Sequence, residues 1–436
     1  MFDFSVEPEF QAKLDWIKAF LKEEVEALDV LFPHVAHIYN PEHKASRAIL
    51  KPLQEEVRRQ GLWACHLGEE LGGKGYGQVK LALMNEILGQ SRWAPTVFGT
   101  AAPDTGNAEI LAMFGTKEQK ERYLQPLLDG EIVSCFSMTE PQAGSDPGEF
   151  KVTAVRDGDH YVINGEKWFS SNARYAAFML TIAVTDPDAP LRSRMSMFVV
   201  PKETPGLKFI RNAPYMGEFT EELSTEGYLH YDNVRIPVDH MLGGEGQGFA
   251  VAQARLGGGR VHHAMRTVGT CQRALDMMCE RALSRRTRGK QLSEMQLVQN
   301  DIAQSYIELE QFRLLVLKTA WIIDNAHDDP RKAVTHIAMC KVVAGKISQD
   351  IVTRALHLHG SLGATHELPL ADMYMSAPTM GIADGPTEVH ISTVAKRLLR
   401  NYTPVDTLFP SEHLPPKVAK ARARYADVLK EHLPAE

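Results

Sequence analysis

The chain has 436 residues, of which 44% are hydrophobic and 24% are charged, which is typical of a globular protein with two or three domains. Its 48 basic and 55 acidic side chains give a formal charge of −7, which does not suggest a nucleic-acid partner or an anionic-membrane partner. The five cysteines are odd in number and lack CxxC spacing, which argues against a disulfide framework and a cysteine metal site and fits a reducing compartment.

The first residues are acidic and contain no apolar core, so we do not expect a secretory signal. No apolar run reaches the ~18 residues that a membrane helix needs. We therefore predict a cytoplasmic protein without membrane insertion.

Helical periodicity dominates residues 1–131. Apolar side chains recur at three- and four-residue steps from Phe10 to Val25, which predicts an amphipathic helix. Similar patterns cover 50–60, 80–89, 107–114 and 117–128. This region is therefore predicted to be an N-terminal all-α domain.

The pattern changes at residue 132. Short β-branched or alternating runs, bounded by Asp-Gly, Asn-Gly and Pro-Gly turns, predict strands. These runs cover 151–156, 161–164, 177–184, 195–201 and 229–237. We expect residues 132–243 to form a small β-barrel or sandwich.

Long helical patterns return after residue 243. They cover 249–284, 294–325, 330–360 and 389–402, and helices of this length usually pack as an antiparallel bundle. We predict a C-terminal four-helix bundle over 244–405 and a peripheral tail over 406–436. The complete prediction is an α+β fold.

A loop rich in small and hydroxyl residues runs from Thr139 to Asp146, with the sequence Thr-Glu-Pro-Gln-Ala-Gly-Ser-Asp. Such a loop lets backbone N–H groups approach a planar or anionic ligand. Further along, Asn164-Gly165-Glu166-Lys167 precedes Trp168 and Phe169, which could stack on a ring. The alternative is a pair of ordinary surface loops joined by a hairpin.

The two motifs together resemble the flavin loop and the following strand of the acyl-CoA dehydrogenase family, and the α, β, α order is similar to that family's layout. The resemblance implies FAD as cofactor, with Thr139 at the pyrimidine edge of the flavin and Ser145 facing the thioester arm of the substrate. The implied FAD contacts in this region are Phe136, Met138, Thr139, Gly144, Ser145, Phe169, Ser170 and Ser171.

A second set of implied FAD contacts lies in the helical region, where the family's contacts cross a subunit boundary. In the resemblance, Arg285 matches the arginine that pairs with the flavin pyrophosphate. The set consists of Arg285, Gln296, His357, Gly360, Ser361 and Glu388. It implies a homo-oligomer, either a dimer or a tetramer.

Asp384 precedes Gly-Pro at a predicted helix start, which by itself indicates a turn and a helix cap. In the family, the matching loop carries the carboxylate that removes the substrate's α-proton. Most members have Glu at this position, whereas Asp is shorter by about 1.5 Å. Ala383 stands where most members have a bulky aromatic residue. A subgroup with the same Ala-Asp-Gly-Pro loop is linked to long, branched or hydroxylated acyl chains, and we expect such a substrate.

Arg260 matches the family arginine that supports the catalytic loop, and Gly259 occupies the position where some members place their base. The three glycines Gly257-Gly258-Gly259 indicate either close approach of another group or a break in the helix. The implied catalytic residues are Asp384 and Arg260. The implied substrate contacts are Ser145, Gly257, Arg260, Ala383 and Gly385.

No metal site is predicted, because His357 with His359 and the pair His262-His263 lack a third ligand nearby in the sequence.

The resemblance implies FAD-dependent α,β-desaturation of an acyl-CoA, as in fatty-acid β-oxidation, with the β-hydride passing to flavin N5. Electrons would pass to an electron-transfer flavoprotein. One competing interpretation is a flavin oxidase of the same fold that acts on acyl-CoAs or nitroalkanes. The resemblance also leaves open a non-catalytic member and a DNA-binding member of the family.

Overall fold

The computed structural model describes residues 3–326, 329–405 and 411–433. The first part of the chain is helical, and the stripe predicted from Phe10 buries Leu14 and Ile17 on one helix face. The helices are α1 Pro8–Phe20, α2 Glu26–Leu31, α3 Val35–Tyr39, α4 Lys44–Arg59, α5 Gly77–Leu88, α6 Ala94–Val97, α7 Asp104–Phe114, α8 Lys117–Gln119 and α9 Gln125–Leu128. Short π-helical segments, Leu21–Val25 and Lys120–Leu124, connect α1 to α2 and α8 to α9.

The middle of the chain forms an eight-stranded sheet. Its strands are β1 Ser134–Ser137, β2 Thr153–Asp157, β3 His160–Ser171, β4 Phe178–Val184, β5 Met195–Pro201, β6 Leu207–Ala213, β7 Glu226–Pro237 and β8 Met241–Leu242. The order is β6-β7-β3-β2-β4-β5-β8, and β1 pairs with β4 in parallel. The predicted strands are present, whereas β1, β6 and the two-residue β8 were not predicted.

The two halves of this sheet meet at one residue pair, Thr153 with Val184. Side chains of both halves nevertheless enter one buried cluster, which contains Ile163 and Leu229 from one half and Val200 from the other. The halves therefore share a core as the layers of a sandwich do.

Three long helices follow: α10 Gly248–Ser284, α11 Gln296–Asp324 and α12 Val334–His359. They share a buried cluster with α5, in which Leu88 lies with Leu275 and Phe312. After them come α13 Leu370–Ser376 and α14 Thr387–Leu399. A two-stranded hairpin of β9 Arg286–Thr287 and β10 Lys290–Gln291 follows α10.

Contacts between Cα atoms divide the chain into one compact unit up to Ile391 and a second from Ser392. In the second unit, part of the predicted peripheral tail is helical, with α15 Leu414–Arg424 and α16 Ala426–His432. Residues 406–410 and 434–436 of that predicted tail lie outside the described residues. Among the helices described, none combines the length and apolar character needed to cross a membrane.

Candidate active site

Asp384 lies in a tight loop between α13 and α14. Its φ of +54° and the φ of +97° at Gly385 are left-handed, a conformation that Asp adopts more readily than most residues and Gly adopts freely. Two side chains hold the backbone of this loop. Arg260 Nε donates to the Asp384 carbonyl at 2.9 Å, and His390 Nε2 lies 3.2 Å from the same oxygen.

The three glycines of α10 do not break the helix, which is continuous over Gly248–Ser284, so of the two alternatives the helix break is wrong. Instead, other groups approach the glycines closely. A Cβ at Gly259 would lie 3.4 Å from Asp384 Oδ2, and one at Gly258 would lie 2.6 Å from Glu109 Oε2. A Cβ at Gly257 would meet no atom within 4 Å, so there is open space beside the helix there.

Several basic groups surround the Asp384 carboxylate: His263, Arg255, Lys341 and Arg260. Burial opposes ionisation of this carboxyl, but these groups outweigh burial and hold the Asp384 pKa below its usual value of 3.8. His263 is near, with Nε2 3.4 Å from Oδ2. Burial lowers the His263 pKa to about 4, so its ring is neutral at pH 7. The site therefore combines an ionised carboxylate with a neutral imidazole.

Lys341 is almost fully buried, and its Nζ donates to the Met380 carbonyl at 2.7 Å. This bond attaches α12 to the segment that leads into the Asp384 loop. Burial lowers the Lys341 pKa, whereas the nearby Asp384 raises it. The sequence analysis did not find Lys341, because a lysine at a helical spacing shows no sign of burial.

Arg255 connects the glycine-rich helix α10 to β1, the strand that leads into the predicted flavin loop. Its guanidinium lies 3.9 Å from the ring centre of Phe136, and its Nε donates to Asn107 Oδ1 at 2.8 Å. Asn107 in turn donates to Ser134 Oγ at 2.8 Å, and Ser134 Oγ donates to Asp104 Oδ1 at 2.6 Å. This chain of bonds fixes α7, α10 and β1 relative to one another.

Glu109 is a second acidic residue near the glycines, and the sequence analysis did not identify it. Burial raises its pKa from 4.5 to about 8, although the charge of Arg255 opposes that shift. A carboxyl group with this pKa is protonated at pH 7 and can donate a hydrogen bond. Glu109 lies within the helical pattern of α7, and nothing in the sequence around it indicates a buried, protonated carboxyl group.

The predicted flavin loop is held by a buried ion pair. Lys167 Nζ lies 2.9 Å from Glu140 Oε1 and donates to the Met138 carbonyl at 2.7 Å. Trp168 N–H donates to the Thr139 carbonyl at 2.8 Å, which joins the loop to β3. In the loop, Gly144 and Ser145 are exposed, so both remain accessible to a ligand.

The aromatic pair after this loop also offers a binding surface. Phe169 has a φ of +49° and is 45% exposed, and its ring stacks on Trp168 with centroids 5.3 Å apart. The buried Trp168 Nε1 has no hydrogen-bond partner in the described structure. An exposed aromatic face and an unpaired ring N–H fit a planar cofactor such as a flavin.

The two serines after this aromatic pair differ. Ser171 Oγ lies 2.9 Å from Glu226 Oε2 and is partly exposed. Ser170 is fully buried, with its Oγ 3.1 Å from Ser137 Oγ, so its side chain faces the protein interior. Only the Ser170 backbone is then left for the predicted cofactor contact. Burial raises the pKa of Glu226 to about 7.

In the second set of predicted FAD contacts, Glu388 lies four residues after Asp384, at the start of α14, whereas Arg285 is remote from it. Arg285 lies just after α10, ~37 Å along the helix axis from Arg260 at ~1.5 Å per residue. The six residues of this set all lie on exposed positions: Arg285, Gln296, His357, Gly360, Ser361 and Glu388. Ala383, predicted to contact substrate, adjoins Asp384 and is partly buried. No cluster of three potential metal ligands occurs among the residues that the structure describes.

Comparison with known proteins identifies this arrangement. Residues 7–131, 135–234 and 246–399 match the models of the N-terminal, middle and C-terminal domains of acyl-CoA dehydrogenases. Mycobacterium tuberculosis FadE2, described as an acyl-CoA dehydrogenase, is 40% identical over 86% of this chain and 92% of its own length. Acyl-CoA dehydrogenase family member 11 of Gallus gallus is 39% identical over 87% of this chain, which spans 49% of that longer protein.

Solved structures agree. A Mycobacterium abscessus protein described as an acyl-CoA dehydrogenase has a TM-score of 0.83 and 36% identity, covering 92% of this chain and 100% of that one. The FAD complex of PigA has a TM-score of 0.77 and 25% identity, covering 92% of this chain and 100% of that one. The chain belongs to the acyl-CoA dehydrogenase family of FAD-dependent oxidoreductases.

Proposed function

We propose that the protein catalyses α,β-desaturation of an acyl-CoA thioester and that Asp384 removes the α-proton. The observation that supports this most is the position of the Asp384 carboxylate. It is sheltered against Gly259, it is ionised by surrounding cations, and its loop is fixed by Arg260. A general base must be ionised before it can take a proton, and it must be shielded from water to react with so weak an acid.

The thioester carbonyl must be polarised as the α-proton leaves, because negative charge develops on its oxygen. In the part of the chain that the structure describes, the Asp384 N–H donates to no protein acceptor. It is therefore available to donate to that oxygen. Bound FAD supplies the acceptor for the hydride that leaves the β-carbon.

The cofactor residues that we propose are those of the loop and the aromatic pair. The Lys167–Glu140 ion pair holds the loop in position, while Thr139 and Ser171 offer polar groups to the flavin edge and Phe169 offers an aromatic face.

We further propose that the acyl chain carries a hydroxyl or a similar polar group, within the expected class of long, branched or hydroxylated chains. The open space beside Gly257 leaves room for a substituent, and Glu109 lies next to it against Gly258. Glu109 and Arg255 make this side of the site polar, and a purely aliphatic chain would leave both groups without a hydrogen-bonding partner from the ligand. Their chemistry fits a substituent that both donates and accepts hydrogen bonds.

The enzyme is proposed to act as a homodimer or homotetramer and to pass electrons to an electron-transfer flavoprotein. The position of Arg285 supports the first point, because one FAD molecule cannot easily contact both Asp384 and a residue ~37 Å away along α10. A partner subunit would bring the second set of contacts to the cofactor. The proposed setting is cytoplasmic fatty-acid oxidation.

The test is to identify the product. FAD-loaded protein is incubated with plain and hydroxylated acyl-CoAs of equal length, with an electron-transfer flavoprotein as acceptor, and products are analysed by mass spectrometry. The proposal predicts loss of two hydrogens from the acyl chain, faster for the hydroxylated member of each pair. Formation of hydrogen peroxide at an equal rate without the acceptor would instead indicate an oxidase. Absence of any enoyl product would contradict the proposal.

A further inference from the structure

We propose that His263 is a positioning residue for Asp384. Its neutral imidazole donates Nε2–H to Oδ2 and leaves Oδ1 to face the substrate. This inference rests on the proposed role of Asp384 as the base, and it adds a second side chain to the proton-transfer site.

Helix α10 brings His263 next to the Asp384 carboxylate. His263 follows Gly259 by four residues on the continuous helix α10, so both lie on one face, one turn apart. Gly259 lets the Asp384 carboxylate approach this face, and His263 contacts that carboxylate from the next turn, with Nε2 3.4 Å from Oδ2. In the regions 3–326, 329–405 and 411–433, His263 is the one basic side chain with a nitrogen within 4 Å of the carboxylate oxygens.

A separation of 3.4 Å is slightly longer than an ordinary N–H···O bond. Catalytic hydrogen bonds are commonly long before substrate binds and shorten in the complex. Arg260 and His390 also contact this loop, but both bond to the Asp384 carbonyl and not to its carboxylate. Neither can therefore replace the contact that His263 makes with the carboxylate. The carboxylate therefore depends on His263 for its orientation.

The charges of the two groups also support this role. The titratable and charged side chains that face the pair come from α10, α12 and α14. They are Arg255, Arg260, Arg266, Lys341, His262 and His390. The positive charges of the three arginines and Lys341 favour an ionised Asp384 and a neutral His263. Burial lowers the His390 pKa to about 4, so that ring is neutral at pH 7. A neutral imidazole beside a carboxylate carries its proton on the nearer nitrogen, because a lone pair there would face the negative oxygen.

The Asp384 side chain is one methylene group shorter than the Glu that most members of the family have at this position. A carboxylate on a shorter side chain has less freedom to find the substrate's α-carbon, so its orientation must be set by the protein. One oxygen fixed by His263 leaves the other pointing to a defined place. Loss of this bond would reduce the rate of proton removal more than it would reduce binding of the acyl-CoA.

The experiment compares His263→Leu with His263→Gln, His263→Asn and the control His262→Leu. His262 is the adjacent buried histidine, and its Nε2 has no hydrogen-bond partner among the described residues. The rate of flavin reduction by saturating acyl-CoA is measured across pH, after FAD content and melting temperature are checked. Gln places an N–H near the position of Nε2, whereas Asn places one near Nδ1.

We expect His263→Leu to lower the reduction rate ~10–100-fold with little change in KM, as for loss of a hydrogen bond to a charged group. The acid limb of the rate profile should move to higher pH, because the lost bond favoured ionised Asp384. His263→Gln should keep more of the wild-type rate than His263→Asn. This comparison still tests the inference if the His263→Leu variant does not fold. The control His262→Leu should keep the wild-type profile.

A wild-type rate and acid limb in His263→Leu would overturn the inference, as would equal rates in the Gln and Asn variants. The same losses in His262→Leu would also overturn it. Flavin reduction that continues in Asp384→Asn would instead contradict the proposed function, in which Asp384 is the base. The two failures are therefore distinguishable.

Discussion

Replacing Glu109 by Gln should stabilise the protein, and increasingly so as the pH rises. The carboxyl lies against Gly258 with its Oε2 2.6 Å from where a Cβ would be, and burial raises its pKa from 4.5 to about 8. Folding therefore holds a proton on this group at pH values where the unfolded chain has released it. That requirement destabilises the folded protein as the pH rises.

The magnitude follows from linkage between protonation and folding. Below pH 4.5 the carboxyl is protonated in both states and the destabilisation is absent. It grows as the pH rises from 4.5 towards 8 by ~1.36 kcal/mol per pH unit, which gives ~3 kcal/mol at pH 7. Glu109 is only partly buried, so solvent screening makes ~3 kcal/mol an upper limit.

Urea unfolding of wild type and Glu109→Gln at several pH values between 4.5 and 8 measures this effect. The variant should match wild type near pH 4.5 and become increasingly more stable towards pH 8. Glu118→Gln is the matched control, because it removes a carboxyl from an exposed position nearby in sequence. A stability difference that is the same at every pH, or a similar rise in the control, would refute the reasoning.

Three further predictions concern the loop, the glycines and the remote contacts. Lys167→Met should lower the free energy of unfolding in urea by about 3–5 kcal/mol, because it leaves the Glu140 charge buried without its ion-pair partner. An unchanged urea midpoint would show that the ion pair does not hold the loop. Gly258→Ala places a Cβ against Glu109, so KM should rise for hydroxylated acyl-CoAs and not for plain acyl-CoAs of equal length. Equal changes in KM for both would contradict the proposal that the acyl chain carries a polar group. Arg285→Glu should speed FAD dissociation, measured by the recovery of flavin fluorescence, while the oligomeric state, measured by size-exclusion chromatography, stays unchanged. FAD dissociation at the wild-type rate would argue against the proposed contact.

The order of α, β and α regions could be predicted because hydrophobic periodicity changes clearly at residues 132 and 243. Three strands of the sheet were missed for physical reasons. Ser134–Ser137 has only four residues and does not alternate between polar and apolar side chains, and it is a strand because it pairs with the fully buried β4. Leu207–Ala213 lies at the edge of the sheet and exposes both Lys208 and the apolar Ile210, so its pattern does not alternate regularly. Met241–Leu242 is too short to show a pattern.

The family resemblance implied roles for Asp384 and Arg260, but the sequence could not show which side chains contact them. Arg255, His263 and Lys341 gather around Asp384 only because α10 and α12 pack beside its loop. Glu109 reaches the glycines from a helix that precedes them by more than a hundred residues. The choice between a helix break and close approach at Gly257–Gly259 also depended on these distant partners, so the sequence left it open.

The most direct test of the central proposal is anaerobic reduction of the flavin by acyl-CoA in wild type and in Asp384→Asn. Asn keeps the shape of the side chain but removes its ability to take a proton. We predict that the flavin absorbance of wild type bleaches on mixing with a suitable acyl-CoA. The variant should bind the same ligand and remain yellow. Bleaching of Asp384→Asn at the wild-type rate, or a wild-type protein that stays yellow with every acyl-CoA, would contradict the assignment of Asp384 as the base of a desaturating enzyme.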